Sequence, residues 1–429
     1  MSKKPRVLLI AEAANPEWVS VPLVGWSMAK AICDNVDGHL VTQIRNKEAI
    51  LRTGWTEGSE FTSIDSEVLA RPMWKAAKVL RMGSGKGWTM TTAISALTYP
   101  YFERLVWRKF GPDIQAGKYD IVHRITPLSP TANSSLAKKC AKAGVPFVLG
   151  PLNGGVPWPP GFDVERRRER EYLSYVRGLY RILPGRRSML RSTSVILTGS
   201  HYTASEIPEP HRTKCVYMPE NGIIPARFNL QAEQNLNPPL KACFIGRMVP
   251  YKGPDILLEA AMPLLKAGKL TLEMIGDGPM LGQLKGFVKN HGIGNSVTFH
   301  GWLEHSSVQK IAACTNLLTF PSVREFGGGV VLEAMALGVV PVICDYAGPA
   351  ELVDDQTGYK VTMGSRTQIV DRFRELLSSI IADPSSLPEK AEAARARVLS
   401  DFTWDAKAKK VCQVYDRLIS ERQEKPIPS

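Results

Sequence analysis

Two glutamates, Glu325 and Glu333, flank a run of three glycines in the segment of the chain that is richest in chemical information. An apolar run at 316–320 leads into this segment and predicts a buried strand, and the Ala/Met/Leu-rich stretch 330–337 predicts a helix. Where a glycine loop joins the end of a strand to the start of a helix, the first N–H groups of the helix have no partner within it. These N–H groups and the positive end of the helix dipole then face a ligand above the loop. A phosphate fits there, and carboxylates suit sugar hydroxyls. The pattern indicates a nucleotide-sugar site.

A second group of polar residues lies in the segment 245–253, between a predicted strand and a predicted helix. It contains Gly246, Arg247 and Lys252. A guanidinium that forms two parallel hydrogen bonds and a mobile ammonium on one loop make a clamp for a diphosphate. Two solvated surface cations are the alternative, and this loop alone does not decide between them.

Two further strand ends carry candidate ligand contacts. Gly276 and Gly278 lie in a Gly-Asp-Gly-Pro turn, where glycines let a ligand approach the backbone closely. A plain turn explains the same residues. Trp302 ends the next predicted strand, and it either covers a nucleotide base or packs in the core.

The composition is that of a globular protein. The chain has 429 residues, of which 44% are hydrophobic and 22% are charged, so two or three domains are expected. No window is long and apolar enough for a spanning helix, and the N-terminal apolar run at 7–10 is too short for a signal peptide. The seven scattered cysteines favour reduced thiols and a cytoplasmic protein.

Positive charge is concentrated in the first half of the chain. Residues 1–220 contain 31 Lys/Arg and 19 Asp/Glu, whereas the remainder contains 23 and 22. Much of the excess lies at 71–86 and 166–191, and the latter has the pattern of a basic amphipathic helix. Such a helix lies on an anionic membrane surface or packs on the core with a solvated charged side. No nucleic-acid-binding motif accompanies the charge, so nucleic acid is the weaker choice of partner.

Predicted strands and helices alternate along the chain, which is typical of parallel sheets with helices on both faces. The strands are expected at 6–10, 38–44, 119–122, 145–149, 194–198, 240–245, 270–275, 296–299, 316–320 and 339–344. Helices are expected at 22–34, 134–143, 254–265, 280–290, 308–313 and 330–337.

The strand-helix pattern restarts at residue 240, after the polar, proline-containing stretch 231–239, which we interpret as the interdomain linker. The prediction is an α/β protein with two Rossmann-like, doubly wound domains that face each other across a cleft. The first domain is expected at 1–225 and the second at 226–410. In such sheets ligands bind at the carboxyl ends of the strands, where the loops described above fall.

The order of these motifs resembles a known family. G-R-x(4)-K-G is followed by G-D-G-P, F-x-G-W, P-S-x(2)-E-x(7)-E-A-M-A and A-G-P-A-E-L-V, over about residues 215–420. This order and spacing are similar to the donor half of retaining GT-B glycosyltransferases of family 4. The segment 411–429 resembles the helix with which that half crosses back to the first domain.

The resemblance implies roles for individual residues. Arg247 and Lys252 would hold the diphosphate and stabilise its charge as it leaves. Glu333 would accept hydrogen bonds from the ribose, and Glu325 would hold the transferred sugar together with the backbone amides of Phe326, Gly327 and Gly328. No carboxylate nucleophile, cofactor or metal ion is required, and the chain has no D-x-D metal motif.

One position departs from the family pattern. The family often has E-G-F-G-[LN]-V, whereas this chain has E-F-G-G-G-V, so the aromatic residue comes one place early and Gly329 replaces a side chain. The preference for a particular sugar is therefore not carried over.

The first half matches less closely. His123 stands just after the predicted strand 119–122, where relatives often have a histidine that reaches the sugar and assists catalysis, but it equally suits the end of a strand. The Pro/Gly-rich loop 150–160 resembles a G-P-x-x-G-G segment of relatives. Its Asn153, Gly154 and Gly155 either line the acceptor site or form a rigid surface loop.

These observations predict a hexosyltransferase-type enzyme that moves a sugar from a nucleotide-diphosphate sugar to an acceptor hydroxyl with retention of configuration. The basic first half favours a glycan or lipid-linked acceptor at the cytoplasmic membrane face, as in cell-envelope, exopolysaccharide or glycolipid synthesis. A transferase that makes a soluble glycoside, and a non-catalytic subunit that binds sugar nucleotides, are the alternatives.

Overall fold

A computed structural model describes residues 4–67, 87–163, 166 and 185–424, with side chains from residue 98 onward in the second of these ranges. The predicted basic segment 71–86 lies outside the described residues. So does the predicted amphipathic helix 166–191, apart from Arg166 and residues 185–191.

The chain divides into two compact units. The first comprises Met1–Gly154, Glu171–Glu220 and Trp404–Ser429, and the second comprises Gly155–Arg170 and Asn221–Thr403. The sequence-based boundaries at 225/226 and 410/411 differ by a few residues from the divisions at 220/221 and 403/404. Residues 155–170, which the sequence placed in the first domain, belong to the second unit.

The first unit contains a seven-stranded parallel sheet with the order β3-β2-β1-β4-β5-β6-β7. Its strands are β1 (Arg6–Ala11), β2 (Asp37–Gln43), β3 (Phe61–Ile64), β4 (Ile121–Thr126), β5 (Phe147–Leu152), β6 (Val195–Thr198) and β7 (Cys215–Tyr217).

The second unit contains a six-stranded parallel sheet with the order β10-β9-β8-β11-β12-β13. Its strands are β8 (Leu240–Ile245), β9 (Leu270–Ile275), β10 (Val297–Gly301), β11 (Leu317–Phe320), β12 (Val340–Cys344) and β13 (Tyr359–Val361).

Helices connect the strands in both units. In chain order they are α1 (Val21–Cys33), α2 (Lys47–Leu51), α3 (Gly87–Gln115), α4 (Leu136–Lys142), α5 (Arg186–Ser192), α6 (His201–Ser205), α7 (Glu209–Arg212), α8 (Pro254–Lys266), α9 (Leu281–Asn290), α10 (His305–Ala312), α11 (Gly329–Ala336), α12 (Ala347–Leu352), α13 (Arg366–Ala382), α14 (Leu387–Asp401) and α15 (Trp404–Glu424).

The first sheet is covered on both faces, which explains why its central strand is a continuous apolar run. Val7 and Leu9 of β1 pack in one hydrophobic cluster, and Leu8 and Ile10 pack in another. Because all four are fully buried, β1 has no solvated side. Helix α15 lies on the Val7 face, where it packs against α1, and it includes residues 411–424 of the predicted crossing segment.

The predicted α/β class and the strand-helix alternation are confirmed, but three short strands were missed. β7 and β13 have only three residues each, which is too short for a pattern of hydrophobic residues to show, and two of the four residues of β3 are polar.

The interpretation of 231–239 as the interdomain linker is wrong. This stretch lies within the second unit, and the chain passes between units at Glu220/Asn221 instead. Ala232 N donates to Leu337 O at 2.7 Å, and the amide of Gln234 donates to Gly338 O at 2.8 Å. The polar segment 231–239 therefore packs on the second unit, because residues of that unit accept its hydrogen bonds.

None of the helices in the described part of the chain is long and apolar enough to cross a membrane.

Candidate functional site

The glycine loop lies between β11 and α11 in the second unit, as the sequence predicted. Gly328 has φ +58° and precedes the first residue of α11. A Cβ atom at Gly328 would lie 2.8 Å from Leu352 Cδ1, so both backbone conformation and space require glycine there. Gly329 differs, because a Cβ atom would meet only the side chain of Asn221 at an ordinary 3.4 Å.

Helix α12 supports the backbone of this loop from one side. A Cβ atom at Gly348 would lie 1.9 Å from Phe326 O, and Gly348 N donates to Glu325 O at 3.3 Å. The turn into α12 is strained, since Ala347 has φ +58° without being glycine. The A-G-P-A-E-L-V motif therefore holds the glycine loop in place.

Lys252 and Glu325, which the sequence assigned to diphosphate and sugar, bind each other in this structure. The Lys252 ammonium donates to Glu325 Oε2 at 2.6 Å, and only 16% and 19% of the two side chains are exposed. The ammonium also lies 4.9 Å from the centre of the Phe320 ring. The pair concentrates one positive and one negative group at the carboxyl end of β11.

A tight turn after β8 delivers the lysine to this place. Pro250–Lys252 forms a 3-10 turn, and Gly253 follows with φ +67° at the start of α8. A Cβ atom at Gly253 would lie 2.5 Å from Pro321 O, so only glycine lets this loop lie against the end of β11. Arg247 is on the same loop and exposed. Within the described part of the chain, no hydrogen bond or ion pair engages its guanidinium.

Gly276 and Gly278 lie where two neighbouring loops of the second unit come into contact. A Cβ atom on Gly276 would lie 2.0 Å from Gly246 O, and one on Gly278 would lie 2.5 Å from Met248 O. Met248 N in turn donates to Asp277 O at 2.9 Å. The glycines thus allow two neighbouring loops to touch. That they also let a ligand approach the backbone stays a prediction.

These two loops border a cavity of about 700 Å³. Gly246, Arg247, Gly276 and Gly278 line it together with Trp302. Trp302 does not pack in the core, since 75% of its surface is exposed. An exposed aromatic ring beside a cavity of this size is suited to stacking on a planar base.

Glu333, on the first turns of α11, pairs with a histidine of α10. Its Oε1 lies 3.2 Å from Nε2 of His305, and the other ring nitrogen of His305 lies 2.9 Å from the amide of Gln309. The hydrogen bond with Glu333 raises the pKa of His305 above its usual value, although partial burial opposes the effect. His305 was not predicted as a site residue, because it precedes the predicted helix 308–313 and belongs to no motif.

His123 is not placed to reach a substrate in this structure. It lies inside β4 instead of after it, and none of its surface is exposed. Nδ1 lies 2.6 Å from the Tyr415 hydroxyl and Nε2 lies 2.7 Å from Gly150 O. Burial lowers the pKa of His123 to about 4, so the ring is neutral at ordinary pH. These contacts make it a structural residue that joins β4 to α15.

The predicted acceptor residues are engaged by the protein. The amide of Asn153 donates to Glu220 Oε2 at 2.5 Å, and Gly154 N donates to Thr203 Oγ1 at 3.1 Å. Both residues belong to the first unit, whereas Gly155, with φ +70°, begins a part of the second. Their role toward an acceptor stays a prediction.

A buried arginine beside the glycine loop was missed by the sequence argument. Arg324 is only 6% exposed, and its Nε donates to Val156 O at 3.1 Å. Its guanidinium lies 5.2 Å from the Trp158 ring and 5.3 Å from the Phe326 ring. Arg324 therefore fixes the neighbour of Glu325 to the segment 155–158 of the same unit.

No group of three or more His, Cys, Asp or Glu among the described residues is arranged to hold a metal ion. That the reaction needs no metal or cofactor stays a prediction.

Comparison with known proteins agrees with this geometry. Residues 227–394 match the family model described as Glycosyl transferases group 1. The chain is 30% identical over 243 residues to a glycogen synthase of Mycobacterium tuberculosis, covering 55% of this chain and 57% of that protein. It is 24% identical over 345 residues to an uncharacterized glycosyltransferase of Methanocaldococcus jannaschii, covering 75% and 83%. The chain thus spans little more than half of the glycogen synthase.

Two solved structures are similar over nearly the whole chain. Anabaena HepE in complex with UDP and glucose has a TM-score of 0.58 at 16% identity, covering 96% of this chain and 100% of that one. A glycosyltransferase from Rickettsia africae has a TM-score of 0.62 at 16% identity, covering 97% and 99%. The chain has the GT-B fold. The second unit contains the segment, residues 227–394, that matches the glycosyl transferases group 1 model.

The contacts of buried Arg324 with Val156, Trp158 and Phe326 lead to a prediction about stability. We expect Arg324→Ala to lower the free energy of unfolding by about 2 kcal/mol, because a desolvated cation–π contact and a charged hydrogen bond are lost. In a double-mutant cycle with Trp158→Ala, the two losses should be less than additive by about 0.5 kcal/mol or more. Thermal unfolding of the full chain measures both, with exposed Arg227→Ala as the control. Strict additivity would show that Arg324 and Trp158 do not act together.

The His305–Glu333 pair yields a pH prediction. Because the folded protein raises the pKa of His305, the pair stabilises the fold at low pH. That contribution is complete below about 6.5, the value for an unfolded histidine, and is lost as the pH rises through the raised value. NMR titration of His305 should show its pKa above the usual value in the wild type and lower in Glu333→Gln. The neighbouring Glu304→Gln is the control. An unchanged titration in Glu333→Gln would contradict the pairing.

Proposed function

We propose that the protein is a retaining glycosyltransferase that moves a sugar from a nucleotide-diphosphate sugar to an acceptor hydroxyl, without a metal ion. The observation that carries this proposal is the Lys252–Glu325 pair at the glycine loop, beside a cavity that fits a base. The match of residues 227–394 to a glycosyltransferase family supports it.

The diphosphate would bind where positive charge is fixed. Lys252 exchanges Glu325 for a phosphate oxygen, and the exposed Arg247 supplies a two-pronged contact from the same loop. The N-terminus of α11 adds N–H groups that have no partner within the helix. Charge that develops on the leaving nucleoside diphosphate is thus met by cations and dipoles already in position.

Glu325 would then be free to accept hydrogen bonds from hydroxyls of the transferred sugar. It holds the ring in place and does not attack it. The bond between the anomeric carbon and the phosphate oxygen breaks, and the acceptor oxygen bonds to that carbon on the same face. The acceptor proton passes to the departing phosphate oxygen, so no protein base is needed and the anomeric configuration is retained.

The nucleoside would occupy the cavity of the second unit. Glu333, held by His305, accepts from the ribose hydroxyls, and Trp302 stacks on the base. The solved complexes of HepE contain UDP, UDP with glucose, and UDP-glucose, which makes UDP-sugars the first donors to test.

The acceptor is proposed to be a glycan or lipid-linked sugar of cell-envelope, exopolysaccharide or glycolipid synthesis at the cytoplasmic membrane face. The excess of positive charge in residues 1–220 supports an anionic acceptor or surface. A phosphatidylinositol monomannoside mannosyltransferase of Mycobacterium tuberculosis is among the relatives, at 28% identity over 255 residues.

Removing either member of the charged pair should abolish turnover. We expect slow hydrolysis of a UDP-sugar by the wild type, and a fall of roughly 100-fold or more in kcat for Lys252→Ala and Glu325→Ala, since each loses a contact to charge or to the sugar in the transition state. Lys285→Ala, on α9 of the same unit, is the control. Hydrolysis that persists in both variants at the wild-type rate would rule out the assigned roles.

Trp302 should contribute to nucleotide affinity and not to folding. A thermal-shift screen of UDP-, GDP- and ADP-sugars should show stabilisation of ~2.7 kcal/mol by the correct donor at about 100 times its Kd. In Trp302→Ala the Kd should rise by roughly tenfold, because one stacked base is worth about 1–3 kcal/mol. The Tm without ligand should not change. Trp18→Ala, another exposed tryptophan, is the control. An unaltered Kd would remove Trp302 from the base site.

A further inference from the structure

A cavity of about 620 Å³ in the first unit is lined by basic side chains and has no role in the donor site. Helix α5 contributes Arg186, Arg187 and Arg191 to one wall. The segment from α6 through α7 forms the other wall, with His211 and Arg212. Arg186 is buried, whereas Arg187, Arg191 and Arg212 are exposed.

Hydrogen bonds fix both walls of this cavity. Arg212 donates from Nε to Ile207 O at 2.9 Å and from Nη2 to Ser205 O at 2.8 Å, which holds its guanidinium at the cavity. The Lys214 ammonium donates to the carbonyls of Leu190, Arg191 and Thr193, at 3.2, 2.9 and 2.8 Å, and so ties the end of α5 to the opposite wall. The Arg212 guanidinium and the backbone at the end of α5 are therefore held in place.

The charge in the cavity is strongly unbalanced. Among the described residues that line the cavity, four arginines face one acid, Glu206, which accepts a hydrogen bond from the Tyr202 hydroxyl at 3.0 Å. Like charges that line one cavity repel each other unless an anion lies between them. The pKa of His211 responds to this environment, since desolvation and then the charges of Lys214, Arg191 and Arg186 lower it.

The cavity borders the loop that the sequence assigned to the acceptor. Glu206 Oε2 lies 3.4 Å from where a Cβ atom of Gly154 would be, and Thr203 accepts the backbone N–H of Gly154 at 3.1 Å. Gly154 follows the carboxyl end of β5, the edge at which parallel sheets bind ligands. A ligand held by the arginines thus lies next to this edge.

We propose that this cavity binds a phosphoryl group carried by the acceptor. The assignment to an acceptor rests on the proposed transferase function, whereas the anion site itself does not. Arginine guanidinium groups suit phosphate oxygens, which accept two parallel N–H hydrogen bonds. The phosphoryl group would anchor the acceptor at the first unit while its sugar hydroxyl lies at the carboxyl edge of the sheet.

Calorimetric titration with inorganic pyrophosphate tests the site, in a background that lacks the diphosphate clamp (Arg247→Ala with Lys252→Ala). We expect this background protein to bind pyrophosphate. Adding Arg187→Glu and Arg191→Glu should weaken that binding at least roughly tenfold, because two charged hydrogen-bond donors are replaced by like charges. Adding Arg108→Glu, an exposed arginine of α3, should leave it unchanged. Circular dichroism and Tm establish that each variant is folded.

Two results would overturn the proposal. One is a background protein that binds no pyrophosphate, and the other is equal binding with and without Arg187→Glu and Arg191→Glu. Neither depends on turnover. If the wild type instead fails to hydrolyse any nucleotide-sugar yet passes the pyrophosphate test, the transferase function fails and the anion site stands.

Vesicles distinguish the two sources of the phosphoryl group. Co-sedimentation with phosphatidylglycerol vesicles, absent with phosphatidylcholine and lost in Arg187→Glu/Arg191→Glu, supports a phosphoryl group at a lipid surface. Pyrophosphate binding without a difference between the two vesicle types supports a phosphoryl group on a water-soluble acceptor.

Discussion

The ion pair between Lys252 and Glu325 is the interaction on which the donor site depends. Its members lie on different loops, at the ends of β8 and β11, and their charged atoms are 2.6 Å apart with little exposure. The Glu325 carboxylate is the group proposed to bind the transferred sugar, and the Lys252 ammonium is the group proposed to bind the diphosphate. The pair keeps both side chains in place and supplies each with a partner until a ligand that carries both chemistries replaces it.

Close approaches of backbone make this pairing geometrically possible. Gly253 lies against Pro321, Gly276 against Gly246, and Gly348 against Phe326, each at a distance that no Cβ atom would permit. The sequence showed that Gly253 and Gly276 lie in segments that follow predicted strands. Their partners were not predictable, because a contact between two loops leaves no periodic signal in either one. These three glycines of the motif are therefore required by contacts between loops.

The sequence predicted the second unit better than the first for a physical reason. Strands β11 and β12 are buried throughout, and the motif loops follow the strands of this sheet, whereas β7 of the first unit has only three residues and shows no pattern. His123 followed the expected position of a catalytic residue, but both of its ring nitrogens are bound inside the fold. The burial of Arg324 was not predicted, because the sequence does not distinguish a buried arginine from a surface arginine. Its burial depends on aromatic rings at Trp158 and Phe326 that folding brings to it.

The most direct test of the central claim is the affinity for UDP of three proteins, measured by calorimetry. If Lys252 exchanges Glu325 for a phosphate, Glu325→Gln frees the ammonium and removes a repelling carboxylate, so UDP should bind more tightly than to the wild type. Lys252→Met should bind UDP roughly tenfold more weakly, since it lacks a charged donor. Binding to Glu325→Gln that equals or falls below that of the wild type would contradict the exchange.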